Sequence, residues 1–241
     1  MYIRKLIKEW FYFLLHPGDV FPDESARAKT GSFIFYLIFI CIISTVFSFA
    51  VQYLFLQLFK WHIISLPVIL KPDYHQVSIV GMVVIAPIVE ELLFRLNLRY
   101  RSVFISFILT LILYSIFVRI VLGLLPFYYL WESIGNIAII MVISVFVNLF
   151  IRRFNKSLEW FWIKYFRLIF YSSAIIFGFM HLGNYWIPNY TIVLLSPFFL
   201  LPFMFAGLNL GYIRLRYGII FSIVLHAFNN LMPYIFHYNF R

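Results

Sequence analysis

In this chain of 241 residues, 64% are hydrophobic and 12% charged, with a mean hydropathy of +0.95. A soluble domain is nearer half apolar and a quarter charged, so the composition excludes one and points to a polytopic membrane protein. The net charge of +10 does not make nucleic acid an expected partner. No basic stripe lies on a soluble face, and Lys and Arg flanking apolar spans read as topology signals and contacts to anionic lipid.

Residues 1–30 are predicted to form a cytoplasmic, interfacial segment. Ile3, Ile7, Trp10, Phe11 and Leu14 fall at helical spacing, with Arg4, Lys5 and Lys8 mostly elsewhere, which describes an amphipathic helix lying in the membrane interface. A signal peptide is not expected. The apolar core from Trp10 to Leu15 is short, Lys8 and Glu9 interrupt its approach, and no A-x-A-like site follows.

From 31 to 241 the pattern predicts an all-α transmembrane bundle, because a span needs about 20 apolar residues and must satisfy its own backbone. About seven segments qualify: 31–59, 77–98, 103–124, 134–151, 168–187, 191–213 and 218–236. The stretch 61–70 is too short to span and contains Pro67, so it reads as interfacial or re-entrant. With the N-terminus inside, Arg4, Lys5, Lys8, Arg27, Lys29, Arg99, Arg101, Arg152, Arg153, Lys156, Lys164, Arg167, Arg214 and Arg216 fall on the cytoplasmic side. Lys60, Lys71 and Arg241 fall outside, a strong positive-inside bias. Arg119, near the outer end of the third span, reads as a snorkelling side chain. The single cysteine, Cys41, rules out an intrachain disulfide and a cysteine-rich metal site.

Ionisable groups inside spans are expensive, and their default reading is functional. The second span carries "PIVEELLFRLN". On a helix Glu91 and Arg95 are i and i+4, so they share a face and can pair. Glu90 is rotated by about 100° and faces Phe94 at its own i+4 position. That leaves Glu90 without a partner in its helix, which suits a general base. A structural charge cluster that pins helices together explains E-E-x-x-x-R alone equally well.

Two further clusters shift the balance. "FGFMHLGN" sets His181 in the fifth span, with Phe177 one turn earlier to pack against its ring. "HAFNN" puts His226 and Asn230 on one face of the seventh. A lone intramembrane histidine is more often a hydrogen-bonded structural residue, but polar groups on three spans suggest one shared interior site. One carboxylate, two imidazoles and an amide there can activate a water and hold an oxyanion.

Glu90-Glu91-x-x-x-Arg95, Phe177-x-x-x-His181 and His226-x-x-x-Asn230, in that order on separate spans, resemble the three motifs of the CAAX-protease and bacteriocin-processing (CPBP, or Abi) family of intramembrane proteases. That family includes prenyl-protein endopeptidases of the Rce1 type. The resemblance covers about residues 77–236 and implies roles. Glu90 would activate water with help from His181, His226 and Asn230 would stabilise the oxyanion, and Glu91 and Arg95 would form the supporting pair. Where the family usually carries its second motif on the next span, this chain interposes 103–124 and 134–151. An even number of added spans keeps the direction of the later helix, so 103–151 reads as an inserted hairpin that either shapes access or only packs. Span counting sets Glu90 toward the cytoplasm and His181 toward the outside, so the site exists only if the two meet.

The family is often labelled metalloprotease, and Glu90, His181 and His226 make a two-His, one-carboxylate set that could hold zinc. No H-E-x-x-H occurs, however, and a glutamate-activated water needs no metal, so a metal-free mechanism is favoured. Two other readings compete with the protease. A proton-coupled transporter would place similar residues inside a bundle but usually shows broken helices or a repeat between two halves, and no convincing repeat is found. A non-catalytic scaffold or immunity protein of the same fold would tolerate loss of Glu90 or His181. The expected partners are the bilayer and a peptide or protein substrate, membrane-associated or lipidated. The expected location is a bacterial cytoplasmic membrane.

Overall fold

The computed structural model describes residues 2–18, 26–61, 69–70, 78–121, 134–186 and 190–239. The elements are α1 (Tyr2–Leu15), α2 (Ala26–Lys60), β1 (Ile69–Leu70), a π-helical turn (Gly81–Ile85), α3 (Ala86–Phe94) and a 3-10 turn (Leu96–Leu98). Then follow α4 (Ser102–Val121), α5 (Ile134–Lys164), α6 (Phe166–Met180), a 3-10 turn (His181–Asn184), β2 (Tyr185–Trp186), α7 (Tyr190–Phe199), α8 (Leu201–Arg216) and α9 (Ile219–Asn239). The described chain is thus nearly all helical. The exception is a two-residue antiparallel ladder, Ile69 opposite Trp186 and Leu70 opposite Tyr185. Most of the predicted interfacial stretch 61–70 lies outside the described residues.

Two described helices are long and apolar enough to cross a membrane, Thr30–Lys60 and Phe166–Asn184, and a third is reached if α7 and α8 count as one bent span. Ser102–Tyr114 and Ile219–Met232 are shorter apolar helices. The chain is therefore a helical integral membrane protein. Seven unbroken spans are not present among the described residues, for physical reasons. The expected helix 77–98 is divided into π, α and 3-10 turns. The expected span 191–213 breaks at Leu200 with a 44° bend, where Pro197 and Pro202 each remove a helical N–H. The expected segment 103–124 runs into 122–133, outside the described residues.

The chain forms two compact units, Met1–Leu98 with Arg167–Arg241, and Arg99–Phe166. The second is a helical hairpin in which Ile105 packs with Val147 and Ile151, and the Tyr100 hydroxyl donates to the Asn155 side chain at 2.9 Å. Helix α5 does not end near 151 but continues to Lys164 with non-helical angles at Phe154. Loss of apolarity ends a span, not a helix, and 152–164 contains neither Gly nor Pro.

In the first unit, α1 is docked to the bundle rather than only lying beside it. The stripe that meets protein is Leu6, Trp10 and Phe13, all buried, while Ile3, Ile7 and Phe11 of the predicted stripe stay exposed. Trp10 donates its indole N–H to Asn209 at 2.8 Å and meets the Phe39 ring edge-on at 5.2 Å. Tyr36 donates to the Leu6 carbonyl, Tyr171 to that of Leu14, and Arg216 pairs with Glu9 at 3.0 Å.

Helices α6 and α8 touch through small residues. A Cβ at Gly207 would come within 3.1 Å of the Ala174 carbonyl, one at Gly211 within 2.7 Å of the Phe170 ring, and one at Gly178 within 2.4 Å of Met204 Cγ. Close approach through small residues one turn apart is how membrane helices gain packing without a hydrophobic drive between them. Here it brings the α8 backbone within reach of Arg95.

Candidate active site

The three sequence motifs meet inside the first unit. Helix α3 starts with Pro87 in its first turn, and the turn before it is widened. The Ala86 N–H reaches back to the Gly81 carbonyl, and Pro87 has no N–H to give. The Met82 carbonyl thereby loses both main-chain donors within reach. The Asn230 side-chain amide donates to it at 2.9 Å. A carbonyl away from water needs a partner, and here an α9 side chain supplies it to this half-buried one.

Glu91 and Arg95 are both fully buried and lie 3.8 Å apart, Oε1 to Nε. Arg95 also donates Nη2 to the Gly207 carbonyl at 3.3 Å and sits 4.2 Å from the centre of the Phe177 ring. That ring meets His181 at 4.7 Å and His226 at 5.6 Å, both edge-on. Phe177 therefore holds the supporting cation and both imidazoles in register. Glu91 receives more than the ion pair. His226 Nδ1 lies 3.1 Å from its Oε1, and Ser222 donates to its Oε2.

Glu90 points elsewhere, as the 100° rotation between neighbours requires. Its Oε2 is 3.5 Å from His226 Nε2 and 3.9 Å from His181 Nε2. Both distances exceed a direct hydrogen bond, and this buried oxygen has no hydrogen-bond partner. His181 Nδ1 faces the Phe177 carbonyl at 2.9 Å. A carbonyl only accepts, so Nδ1 carries the proton and Nε2 in the neutral ring is an acceptor. Its ring stacks on Phe203 at 4.3 Å. Glu90 and His181, predicted at opposed depths, thus meet at 3.9 Å.

Glu90, His181 and His226 thus come together, with Glu91, Arg95 and Phe177 behind them, and Asn230 is tied to the π turn. Among the described residues no group of three or more His, Cys, Asp or Glu side chains is arranged to hold a metal ion.

Sequence reasoning missed Ser222 and Arg214. Ser222 is one turn before His226, so the spacing S-x-x-x-H-x-x-x-N would have placed it on the same face. Arg214, assigned to the cytoplasmic flank, is 6% exposed and donates Nε to the Arg95 carbonyl at 3.2 Å. A positive-inside count carries no signal that separates such an arginine from a solvated one.

No curated protein and no solved structure matches the chain. The family model of the type II CAAX prenyl endopeptidases, Rce1-like, matches residues 74–232, a stretch that begins just before the π turn and ends just after Asn230. It covers well over half of the chain and all three motifs, and leaves α1 and α2 outside. With that match added to the convergence of Glu90, His181 and His226, the chain belongs to the Rce1-like family of type II CAAX prenyl endopeptidases.

Proposed function

We propose that the protein is an intramembrane endopeptidase that hydrolyses a peptide bond with a water activated by Glu90. One observation carries this reading. The Glu90 carboxylate faces two imidazole Nε2 atoms at 3.5 and 3.9 Å with no protein donor on its buried oxygen. A water there can donate one proton to Glu90 and the other to His181 Nε2.

In the proposed sequence Glu90 takes a proton as the water oxygen attacks the scissile carbonyl, and later returns it to the leaving amine. His226 stands between two carboxylates, Glu91 at Nδ1 and Glu90 at Nε2. Its Nε2 edge, on the side of Glu90, is assigned to the oxyanion. Asn230 spends one amide N–H on Met82; the amide has a second, which is assigned to the same oxyanion. The mechanism uses no metal. The substrate class proposed is a lipidated C-terminal peptide, in line with the name of the family.

Cleavage of a farnesylated C-terminal peptide by the purified protein in liposomes tests the reading. The wild type is expected to release the terminal fragment. Glu90→Gln, which keeps shape and removes the base, is expected to lose turnover while staying folded. A Glu90→Gln protein that cleaves at the wild-type rate sinks the assignment.

A further inference from the structure

Ser222 lies one turn before His226 on α9, is fully buried, and belongs to none of the three motifs. Its hydroxyl has one proton and two acceptors in reach, Glu91 Oε2 and the Leu210 carbonyl at 3.0 Å. The Leu210 carbonyl lies within α8, whose ladder provides it with an N–H four residues on. The carboxylate is charged, and hydrogen bonds to charged groups are roughly twice as strong as neutral ones. The proton therefore belongs to Glu91, and the Leu210 carbonyl marks how closely α8 backs the hydroxyl.

We propose that Ser222 is a positioning residue for the reaction: by holding Glu91 Oε2 it fixes the carboxylate so that Oε1 meets His226 Nδ1, and this sets the direction in which His226 Nε2 points. Arg95 cannot supply that orientation alone. Its Nε is 3.8 Å from the same Oε1 that faces His226, which leaves Oε2 free to swing about the Cγ–Cδ bond. With Ser222 on one oxygen and His226 on the other, the carboxylate plane has a single setting. The chain Ser222–Glu91–His226 then ends at Glu90, 3.5 Å beyond Nε2. The other charged and titratable groups facing this chain are Arg95, beside Glu91, and His181, beside Glu90.

The inference rests on the protease reading for its kinetic arm and on geometry alone for its spectroscopic arm. Ser222→Ala is expected to lower kcat about 10–100-fold, the loss associated with a hydrogen bond to a charged group, with KM unchanged. Ser222→Thr keeps the hydroxyl and is expected to recover most of the rate. In protein labelled with 15N-histidine and held in nanodiscs, the downfield His226 Nδ1 proton, assigned against His226→Gln, is expected to move upfield or vanish in Ser222→Ala and to stay in Ser222→Thr. If Ser222→Ala does not fold, Ser222→Cys, similar in shape but a weak donor, is read the same way. An unshifted Nδ1 proton overturns the proposal whatever the kinetics do. So does a rise in KM at constant kcat, or a Thr variant as impaired as Ala. If no peptide is cleaved by the wild type, the protease reading fails and the Nδ1 proton still decides the role of Ser222.

Discussion

Glu91→Ala is the perturbation whose cost the structure defines best. The residue and its partner Arg95 are both at 0% exposure, so neither charge can turn to solvent when the other is removed. Truncating Glu91 leaves the guanidinium with the Gly207 carbonyl and the Phe177 ring, contacts that it already makes and that cannot replace a carboxylate. Breaking a buried pair from one side costs roughly 3–5 kcal/mol, or about two to four powers of ten in the ratio of folded to unfolded protein. Removing both charges leaves no unpaired ion and is expected to be gentler. Arg95→Met in the Glu91→Ala background is expected to recover part of the loss, with a coupling of about 1–3 kcal/mol. Unfolding by sodium dodecyl sulfate, followed through the 6 tryptophans, gives all four corners of the cycle. If Glu91→Ala unfolds within about 1 kcal/mol of wild type, or the double variant is as unstable as the two single losses added, the pair is not the buried electrostatic unit described here.

The close α6–α8 crossing separates two glycines sharply. Gly207→Ala must displace the Ala174 backbone and is expected to destabilise by about 1–3 kcal/mol. Gly31→Ala meets nothing within 4 Å and is expected to stabilise α2 by about 0.5–1 kcal/mol in the same assay. Asn230→Ala is expected to lower turnover by about 10²–10³ if its second N–H serves the oxyanion. Part of its stability cost should disappear in Pro87→Ala, which restores a main-chain donor near Met82, and an undiminished cost rejects that account of the π turn. Pre-incubation with 1,10-phenanthroline is expected to leave turnover unchanged; loss that added zinc restores would overturn the metal-free mechanism.

What the sequence made legible was whatever depends on spacing within one helix. The pairing of Glu91 with Arg95, the isolation of Glu90 and the packing of Phe177 on His181 follow from i, i+4 geometry and are present as expected. Events at breaks in helices were not legible. Pro87 lay inside the expected continuous span 77–98, yet with the Gly81–Ile85 turn it strips the Met82 carbonyl and so redirects Asn230. The bend at Leu200 needed Pro197 and Pro202 to act together within an otherwise continuous apolar run, which hydropathy cannot register. The face of α1 that meets protein was not legible for a related reason. Both stripes of that helix are apolar, and only the tertiary partners of Leu6, Trp10 and Phe13 decide which one turns inward.

In the proposed mechanism the adjacency of the two glutamates lets one site hold both a fixed carboxylate and one free to act as the base. Because neighbours on a helix differ by about 100°, Glu91 faces Arg95, Ser222 and His226, while Glu90 faces the two Nε2 atoms. Each contact that anchors Glu91 also orients a group that Glu90 needs. Arg95 holds Phe177 against both histidines, and His226 carries the connection from one acid to the other. Exchanging the duties would fail on the geometry: a base at 91 would be neutralised by its cation, and an anchor at 90 would have no arginine within a turn. This asymmetry accounts for why three ionisable groups are placed together inside an apolar helix. The pair and its backing fix the framework, and the unpaired acid is left poised over the two imidazoles.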